Sequence, residues 1–266
     1  MRLPAILAAA LLPAFASADE VPFVVTPDNV TLAMLQIAKV SAEDYLIDLG
    51  SGDGRIVITA ARRFGARGLG IEIVPELVAK SRQAAAQAGV GNLAHFREQD
   101  LFRTDLSPAS VVTLYLLPEV NLQLRPRLLQ LRPGTRVVSH DWDMGEWEPD
   151  RTRKLPVPDK SVGVEKSSKV HLWVVPARVD GMWCGTGKSK GKSLRIRQAF
   201  QKFHGELLDA EGLREFDGRI AGEALRVTAG LAFAHGGARL KATHATGKYS
   251  ALKGATFARA GGQTCQ

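Results

Sequence analysis

Cysteine is nearly absent: the 266 residues hold two, Cys184 and Cys265. That excludes a cysteine-rich metal site. The six histidines stand far apart with no metal-ligand spacing, so no metal is expected. Aromatic residues make up 6% and do not interleave with the lysines, which argues against a stacking platform for nucleic acid. No apolar run is long enough to cross a bilayer. One short run, Leu3 to Phe15, follows the positive start Met1-Arg2 and precedes the small-x-small triplet Ala16-Ser17-Ala18. This is a secretory signal pattern over residues 1–18. It predicts an exported, periplasmic protein starting at Asp19, or a membrane-anchored one if the segment stays uncleaved. In an exported chain the two cysteines can pair. They lie near the start and the end of the C-terminal part, but spacing does not show that the sulfurs meet.

An acidic excess is also missing. The net charge is +8, and all of it belongs to residues 181–266, with 14 Lys/Arg against 6 Asp/Glu; the first 180 residues hold 21 of each. The basic part reads as a solvated charged surface, or as a contact for an anionic partner such as lipid headgroups or a cell-wall polymer.

What is present is a strand, a glycine turn and a helix start in Tyr45-Leu-Ile-Asp48-Leu-Gly50-Ser-Gly52-Asp53-Gly54-Arg55-Ile-Val-Ile58. Glycines 50, 52 and 54 let a ligand approach backbone, and the following helix aims unpaired N–H groups at it. Glu72 ends the next apolar run, where a carboxylate can take both hydroxyls of a ribose. The dinucleotide fingerprint is G-x-G-x-x-G; here the spacing is G-x-G-x-G, led by Asp48. Asp48 and Asp53 put negative charge where a pyrophosphate would sit. They disfavour NAD and suit a cationic ligand with an amino-acid tail. D-x-G-x-G-x-G resembles motif I of class I S-adenosylmethionine methyltransferases.

Alternating elements follow over residues 19–176. Helices are expected at 28–40 (Thr26 as N-cap, Pro27 at N1), 55–64, 75–88 and 122–131. Strands are expected at 45–49, 67–73, 93–98, 109–117 and 136–139, with a hairpin-like pair ending in 170–175. This is an α/β, doubly wound, Rossmann-like sheet. Residues 176–181 read as a linker. From 181 to 266 the period changes to two with short Gly/Ser/Lys turns, predicting a small antiparallel all-β domain of six to eight strands. The basic stretch 185–193 has the wrong spacing for a P-loop and no helix after it.

On the fold's ligand side, Gly50, Gly52 and Gly54 are expected at the cofactor's tail, Asp48 at its ammonium and Glu72 at its ribose. Asp100 either accepts from the adenine amino group or is a turn aspartate. On the acceptor side, Glu119 and Asn121 hold an amine or cap the helix that follows them. The run Ser139-His140-Asp141-Trp142-Asp143-Met144-Gly145-Glu146-Trp147 reads as a pocket wall for a cationic substrate. Glu119, His140 and Asp141 are the candidate catalytic groups, with a structural hydrogen bond as the other role for His140.

Together with Thr26-Pro27, Gly68-Leu-Gly-Ile-Glu72, Gln99-Asp100-Leu101, Tyr115-Leu-Leu-Pro-Glu-Val-Asn121 and Val138-Ser-His-Asp141, the Asp48–Ile58 run resembles a lysine N-methyltransferase family. These are the enzymes of ATP synthase c-subunit and adenine nucleotide translocase, and in particular their bacterial relatives. The resemblance covers residues 21–176 and leaves the C-terminal domain aside. It implies S-adenosylmethionine as cofactor and a protein lysine as acceptor; the eukaryotic substrate is not carried over. The alternative is an exported, non-catalytic binder of S-adenosylmethionine or another nucleoside.

Overall fold

A computed structural model describes residues 24–160, 165–227 and 230–265. The expected signal segment lies outside them. Helix α1 (Asp28–Ile37) precedes β1 (Tyr45–Leu49), α2 (Arg55–Phe64), β2 (Arg67–Glu72), α3 (Pro75–Gln87), β3 (Ala94–Glu98) and β4 (Val111–Leu114). Helix α4 (Pro118–Leu128), β5 (Arg136–His140), β6 (Arg151–Pro156) and β7 (Ser167–Val174) complete a seven-stranded sheet. Its order is β3-β2-β1-β4-β5-β7-β6. The first five strands are parallel, and β7 runs antiparallel to both β5 and β6.

Side chains alternate across the pleat. Leu46, Val111, Val138 and Leu172 pack against α1, α2 and α3. Ile47, Val112, Val137 and Trp173 pack on the opposite face, which α4 covers. Two helix boundaries differ from expectation. Pro27 is the N-cap of α1, without a side-chain cap, and the helix stops at Ile37. Helix α4 begins at Pro118, four residues earlier than expected, because a proline at the first helical position gives up no hydrogen bond.

The C-terminal strands β8 (Gly181–Thr186), β9 (Ser193–Ala199), β10 (Lys202–Asp209), β11 (Gly212–Ala221), β12 (Ala224–Val227), β13 (Leu231–Gly236), β14 (Arg239–Ala245) and β15 (Thr256–Arg259) form a closed meander. The barrel closes where β15 pairs with β8. Trp183, Phe203, Phe216, Phe233, Tyr249 and Phe257 fill its interior, as expected for so narrow a barrel. Cys184 and Cys265 form a disulfide that ties the chain end to β8. The 185–193 stretch runs from the end of β8 through a 3-10 turn at Gly187–Ser189 to the start of β9.

The 175–180 connection has no regular structure, yet it is packed: Ala177 and Val179 belong to the barrel core. The β9–β10 turn reaches back to the sheet. Phe200 stacks on Trp147 at 6.5 Å, and Gln201 donates to the Glu148 carbonyl at 2.6 Å. The barrel therefore fills part of the sheet face that α4 leaves open.

Candidate active site

The turn after β1 sits at the carboxyl ends of the parallel strands, where α/β sheets hold ligands. Gly54 has φ +80° at the N-cap of α2, and a Cβ there would stand 2.6 Å from the Phe96 ring. Both facts require glycine. Gly50 and Gly52 are left-handed as well, and the Gly50 amide donates to the Ile71 carbonyl, tying the turn to β2.

Asp48 is buried, and its Oδ1 accepts from the Thr113 hydroxyl on β4 at 2.7 Å. Burial drives its pKa up to about 7; the Thr113 hydrogen bond opposes the rise, and the charges of Glu72 and Asp53 add to it. Burial also works to raise Asp53, but hydrogen bonds and charge from Arg55, 2.6 Å away, hold it below its usual value. So the turn carries less free negative charge than the sequence implies: Asp53 is neutralised, and Asp48 is partly protonated near neutral pH.

Glu72 is buried at the end of β2. Its Oε2 accepts from the Gly52 amide at 2.9 Å, and Oε1 from Ile73 and Val74 at 2.8 and 3.0 Å. Oε1 is taken up by two backbone donors, while Oε2 keeps a second acceptor direction for a ligand hydroxyl. Asp100 follows β3 and accepts from the Phe102 amide at 2.8 Å, which is the turn role. Ile73 and Phe102 stand exposed beside these two acids. The turn conformation and the anchored carboxylate at Glu72 fit a nucleoside carrying an amino-acid tail.

A second recess of about 210 Å³ lies by the ends of β4 and β5, lined by Tyr115, His140, Ser168, Asp159, Lys160 and the arm at Val24–Pro27. His140 is buried under the Tyr115 ring, with centroids 3.9 Å apart. Its Nε2 meets the Ser168 hydroxyl at 2.9 Å and its Nδ1 the Thr26 hydroxyl at 3.4 Å. Burial lowers its pKa to about 4, with Asp141 acting in the opposite sense and Lys160 adding to the fall. A neutral imidazole with both nitrogens engaged is a poor general base at neutral pH. Thr26, expected as a helix cap, serves this histidine instead.

Asp141 sits at φ +62°; Oδ1 accepts from the Lys169 amide and Oδ2 from the Lys160 ammonium at 2.7 Å. His140 and Asp141 are thus brought together, 3.4 Å apart. Glu119 is exposed on the first turn of α4 and supplies no cap. Asn121 is buried there, and its Nδ2 lies 3.3 Å from the carbonyls of both Trp142 and Asp143. The expected pair of pocket tryptophans is split: Trp147 is in the core, and Trp142 is exposed outside the recess.

Residues 48–151 match the family model of the ANTKMT methyltransferase domain. A protein-lysine N-methyltransferase from Saccharolobus islandicus is 44% identical over 137 residues, which cover 51% of this chain and 85% of that protein. This chain belongs to the ANTKMT methyltransferase family. The mouse lysine N-methyltransferase of the ATP synthase c-subunit is 41% identical over 108 residues, which cover 40% of this chain and 43% of that protein. A crystal structure of an RNA methyltransferase from Salinibacter ruber with S-adenosyl-L-homocysteine is 55% identical, with a TM-score of 0.53, covering 59% of this chain and 96% of that one. The protein is an S-adenosylmethionine-dependent methyltransferase. Its relatives are named as enzymes, and nothing among them supports a non-catalytic binder. The family model ends before the barrel begins.

Sequence reasoning gave no site role to Thr113, Tyr115 or Ser168. The first two were legible as polar interruptions of an otherwise apolar run. It also expected no metal-ligand grouping, yet strand pairing brings His204, Glu206 and Glu215 within 4.8 Å on the barrel surface. Glu206 is already held by Arg197 at 2.6 Å.

Proposed function

We propose that this methyltransferase modifies the ε-amine of a protein lysine outside the cytoplasm. One observation carries the acceptor: the recess beside the cofactor turn is walled by Tyr115 and His140 and lined by Asp159, and Lys160, the one cation among the described residues of its lining, is paired with Asp141. The Lys160 charge is spent on Asp141, so the recess keeps a carboxylate in excess and favours a cationic side chain. The names of the relatives support the same class. The disulfide and the signal pattern support export.

Within this reading, Gly50, Gly52 and Gly54 admit the cofactor's methionine portion, Asp48 faces its ammonium, Glu72 holds the ribose, and Asp100 with Ile73 and Phe102 borders the adenine. When bound, S-adenosylmethionine supplies an electrophilic methyl on a sulfonium sulfur, open to in-line attack by an amine lone pair. The protein then has two tasks, orientation and a neutral nucleophile. Burial disfavours a charged amine, so a lysine entering the recess loses its proton more readily than in water. Burial and the Asp141 charge raise the Tyr115 pKa, so its phenol stays neutral and can accept from an amine N–H. Asp141, once its pair with Lys160 opens, is the acceptor for the departing proton; His140 positions the wall.

The second reading is an RNA acceptor, favoured by the name of the Salinibacter ruber enzyme. Incubating the chain from Asp19 with isotope-labelled cofactor, a lysine-containing protein extract and total RNA separates the two. Label in protein, mapped to lysine by mass spectrometry, is the expected result; label in RNA alone would overturn the lysine assignment.

A further inference from the structure

The large apolar residues left exposed gather at one end of the sheet. Ile73, Phe102, Leu117, Leu122 and Trp142 follow strand ends or lie on adjoining helix starts, and Val25 lies in the arm before α1; Leu208 and Leu213 stand apart on the barrel. Ile73 and Phe102 border the cofactor side. Of the other four, Val25 lines the acceptor recess, Leu117 and Trp142 each lie two residues beyond a lining residue, and Leu122 is on the first turns of α4.

This surface is held in place from beneath. The Asn121 amide donates to the Trp142 and Asp143 carbonyls, and Arg125 donates to the Met144 carbonyl at 2.9 Å. Met144 and Trp147 anchor the same loop in the core. A Cβ on Gly145 would stand 3.0 Å from Leu122, so helix and loop form one continuous surface. Trp142 is 40% exposed on this rigid base, the disposition of an aromatic anchor awaiting a partner. Exposed carboxylates flank it: Glu119 beside Leu117, and Asp143 and Glu146 beside Trp142. An apolar centre with an acidic border complements a segment that is apolar and basic.

We infer that Leu117, Leu122 and Trp142, bordered by Glu119, Asp143 and Glu146, form a docking surface for the polypeptide around the acceptor lysine. The preferred segment carries an apolar residue for Trp142 and further basic residues for the carboxylates. The inference rests on the lysine reading and deepens it from a single amine to its flanks.

Two acceptors test it: a long peptide with apolar and basic residues around one lysine, and N-acetyl-lysine amide, which has no flanks. For Trp142→Ala and for Glu146→Lys, KM for the long peptide should rise about tenfold while turnover of the short acceptor changes less than about twofold. Trp142 is the one exposed tryptophan of four, so adding the long peptide should also shield tryptophan fluorescence from acrylamide. Methylation of both acceptors with no loss in either variant and no shielding would overturn the docking surface and leave the lysine reading intact. Failure of the wild type on every lysine acceptor, with methylation of RNA in its place, would overturn both.

Discussion

At the scale of single residues, Asp48 couples the cofactor turn to pH. Its folded pKa of about 7 lies above the usual 3.8 because the carboxyl is buried. Between these values the unfolded carboxyl is ionised and the folded one protonated. Its contribution to stability therefore falls as pH rises through that window and is least favourable above pH 7. Replacing it with Asn should stabilise the free protein at pH 8 by about 1–3 kcal/mol, read as a higher Tm. A lower Tm there would mean that burial of the charge is already compensated. In cofactor binding the ionised form is the partner for an ammonium, so wild-type affinity should weaken as pH falls below about 7. Thr113→Val should move that pH dependence upward by removing the hydrogen bond that favours the anion, and Thr113→Ser should restore it; titration calorimetry across pH reads both. Glu72→Ala removes the acceptor for three backbone amides and for the ribose, and should weaken cofactor binding about 100-fold. Unchanged affinity would remove Glu72 from the ribose site.

At the scale of elements, the β9–β10 turn decides how the two parts meet. Phe200 is a non-glycine residue at φ +53°, stacked on Trp147 with the Arg125 guanidinium 5.7 Å from its ring. The left-handed conformation is strained for phenylalanine and tolerated because the ring packs. Phe200→Ala keeps the strain and loses the packing, whereas Phe200→Gly loses the packing and relieves the strain. Denaturant melts should therefore rank wild type above Gly and Gly above Ala, by roughly 1 kcal/mol between the variants. Equal destabilisation by both would show that strain does not matter at this turn. At the same junction the exposed ion pair Lys202–Glu148 contributes little, whereas Arg219 pairs with Asp150, a mostly buried carboxylate that also accepts from the Val174 amide.

For the whole molecule, a disulfide and an aromatic core close the barrel, and the barrel is seated on the sheet. Cys184→Ser removes a cross-link that spans 81 residues of chain. Loop-closure entropy puts the loss at about 2–5 kcal/mol, so the variant, or the reduced wild type, should melt earlier. Because Phe200 and Gln201 join the barrel to the sheet's core, loosening the barrel should also expose the Trp147 face, detectable as added tryptophan quenching.

Much of this was legible in the chain order of residues. The glycine turn, Glu72 and the βα alternation repeat at spacings that backbone geometry dictates, so the sheet, the class of the second domain and the cofactor side follow from local sequence. The acceptor side did not follow. Whether His140 is a base or a buried strut depends on Thr26, Ser168 and Tyr115, which reach it from three other segments and strip away its water. Trp142 and Trp147 look alike in sequence, and only packing sends one to solvent and the other to the core. Periodicity records which way a residue points along its own element. Desolvation and partnership come from what other elements bring against it, and these set the charge of Asp48, the silence of His140 and the exposed face beside the recess.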